Sequence, residues 1–428
     1  MFLILYYMKS KKAEKILNEQ LQIIKPSEEI LRKINNFIDE SCTFIQNKLI
    51  EQNISAEVFI GGSLAKGTII KKEIYDVDIF VRFDRYKNKE ISNLLGKVLG
   101  KGFKRVHGSR DYFQLLKENI LLEIIPVLKI DKPEFAENVT DLSYFHVKYV
   151  TELINKDDKL KDEIILSKNF CYAQNVYGAE SYIKGFSGYA LELLICHYKT
   201  LLNLMKEITK IKREKLIIDD AGYYSNKDEL MREMNVAKRQ SPIILVDPTF
   251  KYRNALSSLS DETFSRFKKM CERFLKYPSK KFFLIKSISD DFNRLKNVKI
   301  LSVNIDRQSG DIAGTKSKKF YKFFIRKLKD EFKIGKSEFD YDEKENKAYF
   351  YFVLSKKKDE VKIGPSINDN KNIDRFKKIH PSSFIKGNFI YAKIKHTESF
   401  DKWFLNFIKI YKKTMTEMGI LELVNLNK

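Results

Sequence analysis

The sequence predicts an α+β protein with three domains, and changes in hydrophobic pattern along the chain carry that prediction. In residues 1–145, a helical pattern is followed by short runs rich in β-branched and aromatic residues, which is typical of helices packed on a small mixed sheet. Helical periodicity dominates residues 146–278. In residues 279–428, short strand patterns alternate with helical ones, which indicates one or two further α+β modules. We therefore expect one domain in each of these three ranges.

The first predicted helix covers residues 27–50, where apolar side chains recur with a period near 3.6 residues. Ser27 stands where an N-cap residue is expected, and two glutamates follow it in the first turn. The remaining elements of this domain are expected, in chain order, to be the strand AEVFI, the strand YDVDIFVRF, a helix near residues 88–101, and the strands RVHGSRDYFQLL and NILLEIIPVLKI joined by a turn at residues 117–119.

Longer patterns define the later domains. The run YALELLICHYKTLLNLM is apolar almost all round, so we expect it in the core of the central domain. In the last domain, FFLIK, KILSVNI and AYFYFVL are predicted strands, and KKFYKFFIRKLKDEF is a predicted helix.

The charge of the chain points to a polyanionic partner. The 80 Lys and Arg residues exceed the 57 Asp and Glu residues by 23, and nucleic acid is the first candidate for such a surplus. The alternative is a lysine-rich composition that places extra charge on every solvated face. The position of the basic residues must decide between the two.

Cysteine spacing and hydropathy exclude two other classes of protein. The four cysteines form no C-x-x-C pair and have no histidine at metal-binding spacing, so we expect neither a zinc site nor a disulfide framework. The opening segment MFLILYYM has only eight apolar residues, whereas a bilayer crossing needs about 20. We therefore expect a cytoplasmic protein without a membrane partner.

Three acidic residues carry the chemistry that the sequence predicts. Asp76 and Asp78 lie two apart in a strand pattern, so both carboxylates project from one face. Two carboxylates that close repel each other unless a cation lies between them, and Mg²⁺ is the usual cation where phosphates are also bound. Glu123 lies in a second apolar strand, where an isolated acid is costly to bury, and it is the natural third ligand. Three carboxylates can bind two metal ions for an in-line displacement at phosphorus.

A glycine turn precedes these acids. In the segment GGSLAKGT, Gly61 and Gly62 allow the backbone to approach phosphate oxygens, Ser63 adds a hydroxyl donor, and the following amides are expected to begin a helix. Taken alone, neither a Gly-Ser turn nor a D-x-D pair is specific, since both recur in ordinary loops and strands. The combined order of strand, turn, D-x-D strand and acidic strand resembles the polymerase β-like nucleotidyltransferase superfamily.

Within that superfamily, the chain most resembles the archaeal-type (class I) CCA-adding enzymes. The resemblance spans residues 55–275 and rests on the blocks GGSLAKGT, DVDIFVRF, LLEIIPVLKI, TDLSYFHVKYV, NVYGAESYIKGFSGYALELL and VDPTFKYRNALSSLS. It implies a polymerase β-like catalytic domain that adds CMP, CMP and AMP, from CTP and ATP, to the 3′ end of tRNA without a template.

The resemblance also implies roles for single residues. Asp76, Asp78 and Glu123 match the acids that bind two Mg²⁺ ions. Arg253 matches a residue associated with selection of the incoming base. The residues that match the triphosphate-binding positions are Ser63, Lys66, His146, Lys168 and Tyr177. The chain departs from the family where arginine is common at the position of Lys66 and aspartate at that of Glu123. Without the resemblance, His146 and Tyr177 would be interpreted as core residues and Lys168 as a surface residue.

Basic residues alternate with aromatic ones after residue 265, for example in KSKKFYKFFIRKLK. This mixture favours a basic surface for an RNA stem, whose A-form helix is recognised by backbone shape, and a tRNA acceptor stem fits that description. Three alternatives stay open: a poly(A) polymerase, an oligoadenylate synthetase-like enzyme, and a non-catalytic RNA-binding relative. The oligomeric state is not fixed by the sequence, and a homodimer stays open.

Overall fold

The computed structural model describes residues 2–84, 88–212, 214–306, 310–394, 396 and 399–427. The chain forms two compact units, Met1–Ile285 and Lys286–Lys428. Both units combine helices with sheets, so the predicted α+β class is confirmed. None of the described helices has the length and the apolar character that a membrane crossing requires. The division into residues 1–145, 146–278 and 279–428 stays a prediction.

The first unit begins with two long helices that precede a five-stranded sheet. Ser27 is the N-cap of the second helix, as predicted, and its Oγ accepts a hydrogen bond from the amide of Ile30. That helix buries Ile34 and Ile38 in the same hydrophobic core as the apolar side of the sheet. The elements are α1 (Phe2–Ile24), α2 (Glu28–Glu51), β1 (Ala56–Ile60), α3 (Gly62–Ala65), β2 (Tyr75–Phe83), α4 (Asn88–Leu99), β3 (Lys104–Val106), β4 (Tyr112–Lys117) and β5 (Ile120–Leu128).

The sheet has the strand order β1-β2-β5-β4-β3, in which β2 and β5 are parallel and the other pairs are antiparallel. The run RVHGSRDYFQLL was predicted as one strand, and that prediction is wrong because it forms both β3 and β4. The connection between them brings the carboxylate of Asp111 to 2.8 Å from Nε of Arg105. Gly108 lies in this connection, where the chain reverses to pair with itself.

A second hydrophobic core forms among the helices that follow the sheet, and α1 joins it through buried residues such as Ala13 and Leu17. The apolar run from Tyr189 to Met205 lies in this core, as predicted. It is divided into two helices at Lys199, whose φ of 68° is incompatible with a continuous right-handed helix. The elements are α5 (Ser143–Lys156), α6 (Lys159–Ala173), α7 (Gly188–Tyr198), α8 (Leu201–Lys210), β6 (Leu216–Ile218), α9 (Lys227–Glu233), β7 (Ile243–Asp247), β8 (Phe250–Asn254) and α10 (Asp261–Lys276), with β6, β7 and β8 in one small sheet.

The second unit contains a four-stranded antiparallel sheet of order β10-β11-β9-β15 and a three-stranded sheet of order β12-β14-β13. Phenylalanine side chains of α12 and α14 pack on each other and on β11. The elements are α11 (Ile288–Asn293), β9 (Val298–Ile305), α12 (Gly310–Glu331), β10 (Phe332–Asp342), β11 (Lys347–Lys356), β12 (Glu360–Ser366), α13 (Asn370–Ile379), β13 (Phe384–Lys386), β14 (Phe389–Ile394), α14 (Phe400–Glu417) and β15 (Ile420–Asn425).

One strand predicted near the start of the last domain is absent from the described structure. KILSVNI and AYFYFVL lie in β9 and β11 as predicted, and the predicted helix lies in α12. FFLIK instead begins at the end of a 3₁₀ turn and continues as irregular chain. The reason is packing, because the ring centroid of Phe283 lies 5.5 Å from those of Phe170 and Phe274 in the helical core.

Candidate active site

The three predicted acids lie on one face of the two central strands. Asp78 in β2 is the register partner of Glu123 in β5, and Asp76 lies two residues earlier on the same face of β2. Val77 and Ile79 alternate with these aspartates and are buried in the core on the opposite face. The period of two in β2 and the parallel pairing with β5 therefore place three carboxylates next to one another.

The polar contacts of the three acids differ. Asp76 pairs with Lys72, whose Nζ lies 2.9 Å from Asp76 Oδ2. Glu123 Oε1 accepts a hydrogen bond of 2.7 Å from Gln114 Nε2. Burial, together with the neighbouring charge of Asp76, raises the pKa of Asp78 to about 6, against the opposing effect of nearby lysines. The lysines around Asp78 therefore compensate its negative charge only in part.

The glycine turn lies directly against Asp78. The amide of Gly61 donates a hydrogen bond of 2.9 Å to the carbonyl oxygen of Asp78. Gly62 has a φ of 60°, and a Cβ added to it would lie 1.8 Å from Asp78 Oδ2. Only glycine therefore fits there without moving the carboxylate. The turn continues into one helical turn, α3, which contains Ser63.

A cleft of about 440 Å³ lies between this face of the sheet and the helices α5, α6 and α7. Such a volume suits a ligand of nucleotide size. Nine predicted site residues line the cleft: Gly62, Ser63, Lys66, Asp76, Asp78, Glu123, His146, Lys168 and Tyr177. Arg253, the tenth, is not among the lining residues and is connected to His146 through Asp247.

The cationic side of the cleft contains two lysines that share one acid. Glu192 Oε2 lies 2.5 Å from Lys66 Nζ, and Glu192 Oε1 lies 2.9 Å from Lys168 Nζ. Lys168 also donates to Thr68 Oγ1 at 2.9 Å. All three charged side chains are nearly inaccessible to solvent, with exposed fractions of 7% for Lys66, 4% for Lys168 and 1% for Glu192. We refer to Lys66, Lys168 and Glu192 as the lysine cluster.

Burial sets the electrostatics of the lysine cluster. Burial lowers the pKa of Lys168, although the charge of Glu192 opposes that effect. For Glu192, burial favours the neutral acid, but the charges of Lys168 and Lys66 outweigh it and lower the pKa. Two ammonium groups and one carboxylate leave a net charge of +1 beside the acids of the sheet. Such a site suits a ligand with more negative charge than one carboxylate can neutralise.

A second buried acid organises the far side of the cleft. Asp247 Oδ2 lies 3.0 Å from His146 Nε2 and 2.6 Å from Arg253 Nη1. The ring of Tyr189 stacks on that of His146 with centroids 3.9 Å apart. Burial lowers the pKa of His146, although Asp247 opposes that effect, so the imidazole favours its neutral form.

Tyr177 occupies a tightly packed position at the edge of the cleft. Its ring stacks on Tyr172 with centroids 3.9 Å apart. A Cβ added to Gly188 would lie 2.8 Å from the Tyr177 hydroxyl oxygen, so this glycine allows the hydroxyl to approach the start of α7. Burial raises the pKa of Tyr177, which keeps the hydroxyl protonated and able to donate.

The donor atoms of the three acids indicate which kind of metal ion they can bind. Within the described ranges, no three His, Cys, Asp or Glu side chains converge at metal-binding distances. The carboxylates of Asp76, Asp78 and Glu123 are nevertheless neighbours, and oxygen donors of this kind are preferred by Mg²⁺. The restriction at Gly62 also preserves the space that the Asp78 carboxylate occupies. The donor set therefore fits a divalent cation.

Glu192 and Asp247 were missed as site residues by sequence reasoning. Glu192 lies inside the run YALELLICHY, and Asp247 ends the apolar strand IILVD. The rule that singled out Glu123, an acid isolated among apolar residues, applies equally to both. Their partners could not have been found in this way, because Lys66 lies 126 residues from Glu192 and His146 lies 101 residues from Asp247.

Comparisons with known proteins cover the same part of the chain. Residues 44–171 match the family model described as a nucleotidyltransferase domain, and residues 162–284 match the one described as the second domain of tRNA nucleotidyltransferase. A CCA-adding enzyme of Nanoarchaeum equitans is 45% identical over 213 residues, which are 49% of this chain and 53% of that protein. A CCA-adding enzyme of Methanocaldococcus jannaschii is 34% identical over 279 residues, which are 63% of this chain and 61% of that protein. The chain thus spans between half and two thirds of the length of these relatives.

The fold is shared with more distant proteins of known structure. A cytoplasmic RNA terminal U-transferase superimposes with a TM-score of 0.50 at 16% sequence identity, covering 65% of this chain and 99% of that one. At this level of identity the likeness concerns the fold alone. It agrees with the predicted polymerase β-like architecture of the catalytic domain.

Proposed function

We propose that the chain is a member of the tRNA nucleotidyltransferase family and that it adds CMP, CMP and AMP, from CTP and ATP, to the 3′ end of tRNA without a template. The observation that carries the proposal is the cleft in which Asp76, Asp78 and Glu123 face the lysine cluster. Opposite charges on the two sides suit a nucleoside triphosphate bound together with divalent cations. The blocks that form the cleft lie within residues 44–284, which the two family models match.

The acids are proposed to bind Mg²⁺, in the form of two ions. The carboxylates of Asp76, Asp78 and Glu123 would together hold these ions. Two Mg²⁺ ions bound there would lower the pKa of the RNA 3′ hydroxyl and stabilise the leaving pyrophosphate. The protein's own contribution is to keep the three carboxylates adjacent through the pairing of β2 with β5.

The other residues are proposed to position the nucleotide. Lys66 and Lys168 would neutralise triphosphate oxygens, while Glu192 keeps both ammonium groups in place before the ligand binds. The hydroxyls of Ser63 and Tyr177 would donate hydrogen bonds to the same group. The triphosphate would thereby be oriented for attack of the 3′ oxygen on the α-phosphorus, with pyrophosphate departing on the opposite side.

The remaining assignments concern the base and the partners. His146 would contact the triphosphate, and Arg253 would contact the incoming base. The basic and aromatic helices of the second unit would contact the tRNA backbone. The proposal places the reaction in the cytoplasm, and a homodimer stays open until the mass of the protein in solution is measured.

The test is nucleotide incorporation into a tRNA that lacks its terminal CCA. Purified protein with Mg²⁺ and all four triphosphates, one of them labelled in each reaction, is expected to incorporate two CMP residues and then one AMP, and to stop after these three residues. Asp76→Ala and Asp78→Ala variants serve as controls that should bind tRNA without extending it. Long homopolymeric products would support a poly(A) polymerase, and 2′-5′ linkages an oligoadenylate synthetase-like enzyme. No incorporation by the wild-type protein would overturn the proposed activity and favour a non-catalytic RNA-binding relative.

A further inference from the structure

One buried carboxylate connects two parts of the site that the proposed function treats separately. Asp247 is the last residue of β7 and is completely buried. Its Oδ2 atom accepts hydrogen bonds from His146, which comes from α5, and from Arg253, which comes from β8. A single oxygen atom thus fixes the distance between these two side chains.

The second oxygen of Asp247 is also fully engaged. Oδ1 accepts hydrogen bonds from the Tyr189 hydroxyl at 2.9 Å, from the Thr249 amide at 2.9 Å and from Thr249 Oγ1 at 2.7 Å. The carboxylate therefore receives five hydrogen bonds and has little freedom to rotate. Tyr189 adds a second connection, because its ring stacks on His146 and lies 5.5 Å from the Arg253 guanidinium.

The charge of Asp247 determines which nitrogen of His146 carries hydrogen. Burial would raise the pKa of Asp247, but the hydrogen bonds from His146 and Thr249 and the charge of Arg253 act against it, and the pKa is lowered. An ionised carboxylate only accepts hydrogen bonds, so Nε2 of His146 must be the donor. Asp247 thereby fixes the tautomer as well as the orientation of the imidazole.

We propose that Asp247 is a positioning residue that fixes His146 and Arg253 relative to each other, so that triphosphate binding and base selection depend on one buried carboxylate. The inference rests on the proposed function, in which His146 and Arg253 contact the nucleotide. It goes beyond the separate roles of His146 and Arg253, because it makes both roles depend on Asp247. Loss of the charge at residue 247 should impair both functions together, whereas loss of either partner should impair one.

The test uses two binding measurements that do not require turnover, both on protein bound to a tRNA that lacks CCA and ends in a 3′-deoxynucleotide, so that no nucleotide can be incorporated. The first is the Kd of inorganic tripolyphosphate, which has no base. The second is the ratio of the Kd values of UTP and CTP. Asp247→Asn is expected to raise the Kd of tripolyphosphate about tenfold and to lower the ratio of the UTP and CTP Kd values about tenfold. The reason is that a charge-assisted hydrogen bond is lost both to His146 and to Arg253. His146→Ala should change mainly the Kd of tripolyphosphate, and Arg253→Ala should change mainly the ratio of the UTP and CTP Kd values.

Asp141→Asn is the matched control for general destabilisation. Asp141 is also a buried acid bound to an arginine, Arg110, and it accepts a hydrogen bond from the amide of Leu128 at 2.8 Å. It does not line the cleft. This variant should lose stability while both binding readouts keep their wild-type values. If Asp247→Asn fails to fold, Thr249→Val, which removes one donor to Asp247, should shift both readouts in the same direction by a few-fold.

Three results would overturn the inference. The first is an Asp247→Asn or Thr249→Val protein that folds and changes neither readout, or only one of them. The second is a control variant that changes both readouts as strongly as Asp247→Asn. The third is a wild-type protein that binds UTP and CTP equally well under these conditions. Failure of the proposed function is distinguishable, because it appears as absent incorporation, while these affinities are measured without chemistry.

Discussion

The two sides of the cleft are built in opposite ways. The acids of β2 and β5 are partly accessible, and the side chain of Asp76 is 50% exposed. In the lysine cluster, by contrast, no side chain is more than 7% exposed, and every charge has a partner of opposite sign. The acidic side therefore carries negative charge that a cation can neutralise, whereas the ion pairs of the lysine cluster form before any ligand binds. The acids depend on a bound cation for most of their charge balance, while the lysine cluster keeps a net charge of +1 that is available to an anionic ligand.

The largest effect should come from removing charge on the acidic side. Asp78→Asn preserves the shape of the side chain and is expected to lower nucleotide incorporation by about 10³-fold or more, because a metal ligand is lost. The same change should stabilise the protein measured in a metal chelator, by about 1 kcal/mol, since it removes a desolvated charge next to Asp76. Steady-state incorporation and thermal unfolding measure the two effects. Loss of activity accompanied by loss of stability would contradict the view that Asp78 is retained for function at the expense of stability.

The next effect should come from the lysine cluster, where charge removal acts on stability. Glu192→Gln leaves two buried ammonium groups without an anionic partner and is expected to cost about 3–5 kcal/mol of unfolding free energy, measured by denaturant titration. A triple variant, Lys66→Met, Lys168→Met and Glu192→Leu, is the control. It should recover much of that stability, because an apolar replacement of a whole ion-pair group is often neutral, but it should not bind tripolyphosphate. A Glu192→Gln protein of wild-type stability would show that the cluster is not prearranged by this carboxylate.

These opposite designs also explain which half of the site the sequence could predict. The period of two in β2 is local, so the common face of Asp76 and Asp78 follows from sequence alone. The pairing of Asp78 with Glu123 depends on β5 lying parallel to β2, which the sequence does not specify. The lysine cluster joins α7 to residues far away in the chain, and no local pattern encodes such a contact. Local periodicity thus predicts the shared face of the two aspartates, while strand pairing brings Glu123 beside them and tertiary packing creates the lysine cluster.

The same limit applies to the fold. Capping by Ser27 and the limits of β2 are local properties and were predicted correctly. The division of the apolar run at Lys199 and the irregular structure of FFLIK were not predicted, because both depend on how buried side chains meet in the helical core. An apolar run specifies burial more reliably than it specifies backbone conformation.

A smaller effect should follow from exchanging the cation within the lysine cluster. Lys66→Arg introduces the residue common at this position in archaeal-type CCA-adding enzymes, and a guanidinium can bind phosphate oxygens in a bidentate manner. We expect the KM for CTP and ATP to fall by about tenfold or less, with kcat little changed, because ground-state binding is what improves. Initial-rate kinetics at saturating tRNA provides the measurement. A fall in kcat without any change in KM would mean that the larger side chain disturbs Glu192 and does not bind the triphosphate better.

The smallest effect is expected at Lys72, whose ammonium group pairs with Asp76 on the acidic side. Its ion pair with Asp76 is partly exposed, at 29% and 50%, so Lys72→Gln should change the unfolding free energy by less than about 1 kcal/mol. Because the ammonium competes with a divalent cation for the same carboxylate, the Mg²⁺ concentration that gives half-maximal incorporation should fall by about threefold, which corresponds to a fraction of one kcal/mol.

Lys25→Gln is the control for Lys72→Gln, since Lys25 forms a similarly exposed ion pair with Asp162. Neither Lys25 nor Asp162 lines the cleft. It should change stability by a comparable amount and leave the Mg²⁺ requirement unaltered. A higher Mg²⁺ requirement in Lys72→Gln would reverse the interpretation, because it would mean that Lys72 assists ligand binding as the lysine cluster does. The acidic side would then contain a prearranged cation of its own, and the contrast between the two sides of the cleft would be one of degree.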